Sequence, residues 1–154
     1  MQPYHIQLMK EALKEAKEGF KAGEVPVGAV IASHDGEIIS KAHNRPISLN
    51  DPTAHAEILA IRKAGLIINN YRLMECILAV TIEPCPMCMG AAINARIAQL
   101  VFGARDPKSG AAGSVYDIGG DGLLNHTIEI TSGIMERECG ELMQDFFKAR
   151  RRNP

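Results

Sequence analysis

The chain has 154 residues, enough for one domain with a real core, residues 1–154, and too few for two full domains. Hydrophobic residues make up 46% and charged residues 23%, with no apolar run near the length of a membrane span, which excludes a disordered or membrane-spanning chain. With 17 basic against 18 acidic side chains the formal charge is -1, so a polyanionic partner must be met by a local patch rather than by a global basic field.

Residues 4–22 read as an amphipathic helix: Ile6, Met9, Leu13, Ala16 and Phe20 recur at helical spacing, and Gly19 and Gly23 weaken and then end it. Residues 25–32 form a short, valine- and isoleucine-rich run expected to be a buried strand. His34-Asp35-Gly36-Glu37 signals a turn, and Ile38-Ile39 opens a partner strand. Residues 44–52 read as a polar loop. Thr53 then resembles a helix N-cap and Gly65 the matching stop. Residues 77–82 read as a strand, and Pro84-Cys85-Pro86 starts a helix that runs to about Arg96, because proline is tolerated in a first turn. A strand over 98–103, a glycine-rich loop over 105–122, a short strand over 127–131 and an amphipathic helix over 135–151 complete the chain. Strands interleave with helices, which predicts an α/β architecture with helices on both faces of a central sheet.

Two segments carry chemistry: His55-Ala56-Glu57 and Pro84-Cys85-Pro86-Met87-Cys88, each at a predicted helix start. The opening residues lead into alternating charges instead of the apolar stretch of a signal peptide, so the protein is expected in the cytoplasm. Cysteines there are free, catalytic or metal-bound more often than paired. Cys85 and Cys88, three apart, share one face of one turn, where the helix N-terminus favours thiolates. With His55 they form a donor set suited to Zn²⁺. Two thiolates and a neutral imidazole cancel the charge of the ion. Three ligands leave a fourth tetrahedral position open, which marks a catalytic zinc, able to activate water. Glu57, two residues from a ligand, is the candidate proton shuttle. Residues two apart inside a helix point in nearly opposite directions, so both reach one metal only if it lies over the helix end. A closed structural zinc site is the alternative. It would need a fourth ligand from Cys76, Cys139, His43 or another histidine, none of which has ligand-like spacing.

The His-x-Glu and Pro-Cys-x-x-Cys pair is the known signature of zinc nucleobase deaminases. Further stretches extend the likeness: residues 24–30, Glu-Val-Pro-Val-Gly-Ala-Val; residues 44–47, Asn-Arg-Pro-Ile; residues 51–57; and residues 102–114, Phe-Gly-Ala-Arg-Asp-Pro-Lys-Ser-Gly-Ala-Ala-Gly-Ser. Over nearly its whole length the chain resembles the bacterial tRNA-specific adenosine deaminases. The zinc motif alone would also admit cytidine, deoxycytidylate and guanine deaminases, whereas residues 102–114 are more selective. The resemblance implies a three-layer α/β/α cytidine-deaminase-like fold with a mixed sheet, and a homodimer. It also implies conversion of the wobble adenosine of a tRNA anticodon, typically of an arginine tRNA, to inosine. His55, Cys85 and Cys88 would bind one zinc, and Glu57 would move protons. Asn44 would contact the base, and Glu24, Val25 and Pro26 would line its pocket. Asp106 and Lys108 would stand near the flanking nucleotides.

Arg150, Arg151 and Arg152, with Lys148, form a basic cluster that reads as phosphate contacts to an anticodon stem-loop or as a solvated helix end that complements the macrodipole. Phe146 and Phe147 are adjacent, so one belongs to the core and the other to RNA or a dimer partner. Cys76 and Cys139 read as buried small hydrophobes. His5, His34, His43 and His126 are given no role. The rival functions are a deaminase of guanine or of a cytosine nucleotide, and a non-catalytic RNA-binding subunit with structural zinc. Glu57 argues against the second, since a scaffold has no need of a proton shuttle.

Overall fold

A computed structural model describes residues 2–153; Met1 and Pro154, the ends of the expected 1–154 unit, lie outside it. Five strands form one sheet in the order β2-β1-β3-β4-β5: β1 Gly28–Ala32, β2 Ile38–His43, β3 Ile77–Ile82, β4 Gln99–Ala104 and β5 Glu129–Thr131. β1 pairs antiparallel with β2 and β3, whereas β3–β4 and β4–β5 are parallel, so the sheet is mixed.

Alternation along the strands divides the core in two. Ala29, Ile31, Leu78, Val80, Leu100 and Phe102 pack with Ala56, Ala60 and Ala64 of α3 (Ala56–Ile68) and with Met89, Ala92 and Ile93 of α4 (Pro86–Asn94). Val30, Ala32, Ile77, Ala79 and Val101 face the other way, onto Leu8, Met9, Ala12 and Leu13 of α1 (Pro3–Lys21) and Cys139 of α5 (Glu136–Arg152). Both faces are covered, which explains why β1 and β3 read as continuous apolar runs. Each fully buried leucine or isoleucine contributes about 1.5–3 kcal/mol. α1 lies on β1 so closely that a Cβ at Gly28 would fall 1.9 Å from the Ala12 carbonyl oxygen, so only glycine fits there.

Several boundaries differ from those read locally. Residues 25–27 precede β1 as a turn closed by the Val27 N–H donating to the Val25 carbonyl. Within the expected polar loop, Pro46–Leu49 forms a short helix, α2, with proline at its start. α3 begins at Ala56 and passes Gly65 to end at Ile68, with Asn69 as its left-handed C-cap. Thr53 is not its N-cap: the Thr53 N–H and hydroxyl both donate to Asp51 Oδ1, closing a local turn. α4 stops at Asn94, two residues early, and Arg96 has a positive φ of 62°. No helix among the described residues is long and apolar enough to cross a membrane.

Candidate active site

Two helix N-termini converge where β3 delivers the chain to α4, at the carboxyl ends of the parallel strands. His55 is the N-cap of α3 and Cys85 the N-cap of α4, both extended, with φ/ψ of -72°/153° and -78°/173°. Because His55 lies outside the helix and Glu57 inside its first turn, the two face one point without conflict. Asn44 fixes the junction: its Oδ1 accepts the Ala56 N–H at 2.7 Å, while its own N–H donates to the Val27 carbonyl at 3.1 Å. The α3 N-terminus is thus capped from twelve residues away, with the Asn44 NH₂ left to offer a ligand.

His55 Nδ1 lies 3.6 Å from Cys85 Sγ and 3.5 Å from Cys88 Sγ. With Zn–N near 2.05 Å and Zn–S near 2.3 Å, the N···S edge of a coordination tetrahedron is about 3.6 Å. The separations therefore fit a shared zinc better than ordinary hydrogen bonds. No other His, Cys, Asp or Glu among the described residues joins this group, so a fourth position is left for water. Cys76 and Cys139 are buried in the two cores instead. The Cys85 thiol is lowered to about 4, chiefly by its hydrogen bond with Cys88, with burial opposing and His55 assisting. Cys88 is raised by that same bond and by burial. His55 is raised, first by its bond with Cys85. Glu57 is only 3% exposed, and burial pushes its carboxyl up.

A pocket of about 160 Å³ opens over these groups, lined by Val25, Val27, Asn44, Ile82, Glu83, Asp106, Ser109 and Met143 as well as His55, Glu57 and Cys85. Of the residues expected to hold the base, Asn44 and Val25 line it. Pro26 is buried and does not. Glu24 is buried too, and its carboxylate accepts from the Ile47 N–H, the Ser48 N–H and the Ser48 hydroxyl, holding α2 and the loop that carries Asn44. Asp106 lines the pocket, but its carboxylate accepts from the Lys108 and Ser109 N–H groups and the Ser109 hydroxyl within its own loop.

Through Met143 the pocket continues into two outer grooves. One, of about 560 Å³, runs past Arg105, Asp106, Lys108 and Phe147. The other, of about 440 Å³, is lined by Lys108, Met143, Gln144, Phe147, Lys148 and Arg151. The basic cluster therefore divides. Arg151 and Lys148 join the groove, whereas Arg150 lies over the Phe146 ring, 5.2 Å from its centroid. Arg152 ends α5, exposed and outside both grooves. Phe146 is core, edge-on to Phe20, and Phe147 is 42% exposed. Sequence reasoning did not single out Val27, Ile82, Glu83, Ser109 or Met143. The α5 wall has a local signal in helical spacing, since Met143, Phe147 and Arg151 recur every four residues.

Residues 3–104 match the family described as the cytidine and deoxycytidylate deaminase zinc-binding region. The tRNA-specific adenosine deaminase of Haemophilus influenzae is 46% identical over 94% of this chain and 84% of its own length. That of Aquifex aeolicus is 48% identical, over 94% and 95%. A solved structure from work on A-to-I editing by tRNA:A34 deaminases superposes with a TM-score of 0.85 at 42% identity, covering 88% of this chain and 98% of that one. Guanine deaminase from Bacillus subtilis superposes with a TM-score of 0.64 at 34% identity, over 100% and 96%. A zinc-shaped His-Cys-Cys site, a buried glutamate beside it and this degree of identity agree: the chain belongs to the tRNA-specific adenosine deaminases, within the cytidine and deoxycytidylate deaminase zinc-binding family.

Proposed function

We propose that the protein hydrolyses the wobble adenosine of a tRNA anticodon, that of an arginine tRNA, to inosine in the cytoplasm. The observation that carries this reading is a half-enclosed pocket over the His55-Cys85-Cys88 group that opens into a groove bearing Lys108, Phe147, Lys148 and Arg151. A free base would need the pocket alone. A looped-out nucleotide with flanking phosphates needs both.

His55 Nδ1, Cys85 Sγ and Cys88 Sγ would hold zinc, which when bound lowers the pKa of a water that attacks C6 of the base. Glu57 takes one proton from that water and delivers it to ring N1, making C6 more electrophilic. It then takes the remaining proton from the hydroxyl added at C6 and passes it to the amino group, so that the C6–N bond breaks, ammonia leaves and the oxygen stays as the C6 carbonyl of inosine. Asn44 orients the base through its NH₂ group, and Val25, Val27, Ile82 and Met143 exclude solvent from its faces. Sequencing tRNA from cells with and without the protein tests the reading. Inosine at the wobble position should vanish with the protein, and its persistence in the deletion strain would refute the assignment.

The protein acts as a homodimer on this reading. Leu66, Ile67, Ile68 and Tyr71 are exposed by 84%, 64%, 41% and 73%. Leu66 lines two neighbouring grooves, one with Ile61 and Tyr71 and one with Ile38 and Ile67. So large an apolar patch needs a partner in water. Light scattering should give twice the chain mass for wild type and a monomer for Leu66→Lys/Ile67→Lys, whereas a monomeric wild type would rule out self-association.

A further inference from the structure

Glu83 stands two residues before Cys85, yet the chemistry above does not use it. It is 3% exposed. Its carboxylate is filled from residues 106–114: Oε1 accepts the Asp106 N–H at 3.1 Å and the Ser114 hydroxyl, and Oε2 accepts the Ala112 and Ser114 N–H groups, each at 3.0 Å. A carboxylate offers about four acceptor sites. All are taken, so Glu83, unlike Glu57, has no lone pair free for a substrate proton. Two main-chain bonds reinforce the attachment: the Ala111 N–H donates to the Pro84 carbonyl and the Glu83 N–H to the Ala104 carbonyl, both at 2.8 Å. Gly110 presses onto the carboxylate, and a Cβ there would fall 2.4 Å from Glu83 Cδ and 2.5 Å from the Asp106 carbonyl oxygen. The same loop sends Asp106 and Ser109 to the pocket and Lys108 to the outer groove.

We propose that Glu83 is a positioning residue: its buried carboxylate sets the shape of loop 106–114, and through Asp106, Lys108 and Ser109 governs how firmly the enzyme holds the nucleotides flanking the target base. This deepens, and rests on, the reading of the substrate as an anticodon loop. Glutamine in its place would turn an NH₂ toward at least one backbone donor, so the loop would loosen while His55, Cys85 and Cys88, which take no bond from the Glu83 carboxylate, stayed assembled. Loss of binding made equally in ground and transition states raises KM and leaves kcat alone.

The test uses the zinc-loaded full chain as wild type, Glu83→Gln and Ser114→Ala, with kinetics on an anticodon stem-loop, zinc content and amide hydrogen exchange. Glu83→Gln should keep one zinc per chain and its kcat, but raise KM about tenfold or more, since a hydrogen-bonded buried charge is lost. Exchange of the Asp106, Ala112 and Ser114 amides should quicken, with those of Glu57 and Cys88 unchanged. Ser114→Ala, which removes one hydroxyl, should shift both readouts the same way by less, and it decides the matter if Glu83→Gln does not fold. A fall in kcat at unchanged KM, or loop exchange unchanged from wild type, overturns the proposal. If the wild type leaves the stem-loop intact, the tRNA reading fails by itself. Loop exchange then still decides the role of Glu83, quickened exchange supporting it and unchanged exchange overturning it.

Discussion

Removing Lys148 and Arg151 together should weaken substrate binding and flatten its salt dependence, whereas removing Arg150 should not. Three cations line the outer groove: Lys108, Lys148 and Arg151. If each neutralises one phosphate of a single strand, the slope of log affinity against log salt is about 0.7 per contact, or about 2 in all. Between about 50 and 200 mM salt wild-type affinity should then fall about twentyfold. Lys148→Ala/Arg151→Ala leaves Lys108 alone, and the same change in salt should cost only about threefold. Arg150 stacks on the Phe146 ring, so Arg150→Ala should keep the wild-type slope and instead lower stability by about 0.5–1 kcal/mol. The assay is KM for an anticodon stem-loop at the two salt concentrations, with single-turnover rates at saturating RNA to verify that the chemical step is unchanged. Equal slopes in wild type and the double variant, or a flattened slope in Arg150→Ala, would refute this division of the basic cluster.

Three further outcomes are expected. Glu57→Gln should retain zinc and RNA binding but slow single-turnover inosine formation by about 10²- to 10⁴-fold, the usual worth of positioned acid–base catalysis. Cys88→Ala should lose zinc by metal analysis and melt at lower temperature, because the ion joins the starts of α3 and α4. Burial alone would raise the Glu24 carboxyl, but hydrogen bonds from Ser48 and Ile47 outweigh it and hold it below its ordinary value of 4.5. A depressed pKa gives stability that is present above that value and lost as pH falls through the folded-state pKa. Glu24→Gln should therefore cost stability at neutral pH, with the difference from wild type shrinking below about pH 4.5 in paired denaturant titrations.

His55, Glu57, Cys85 and Cys88 sit in short windows whose chemistry depends on residue type and spacing, and the apolar runs of β1 and β3 announce strands covered on both faces. The misread features depend on partners far along the chain. Thr53 looks like an N-cap by type, but α3 takes its cap from Asn44. α2 hides in a polar loop because what holds its first turn is Glu24, more than twenty residues earlier. By sequence Glu24 is expected to line the pocket and Glu83 has no assigned role, whereas each is buried as an acceptor for one loop, and only the folded backbone brings those donors together. Arg150, Arg151 and Arg152 form one cluster in sequence. Successive residues on a helix are turned by about 100°, so they cannot share a face.

The most direct measurement is incubation of the zinc-loaded protein with an arginine-tRNA anticodon stem-loop carrying adenosine at the wobble position and, separately, with free guanine. Nucleosides are resolved by mass spectrometry, and released ammonia is counted. Inosine at the wobble position, matched by an equal amount of ammonia and formed at least about a hundredfold more slowly with Glu57→Gln, is the predicted result. Ammonia from guanine with the stem-loop left intact would contradict it and assign the same zinc group to a free-base deaminase.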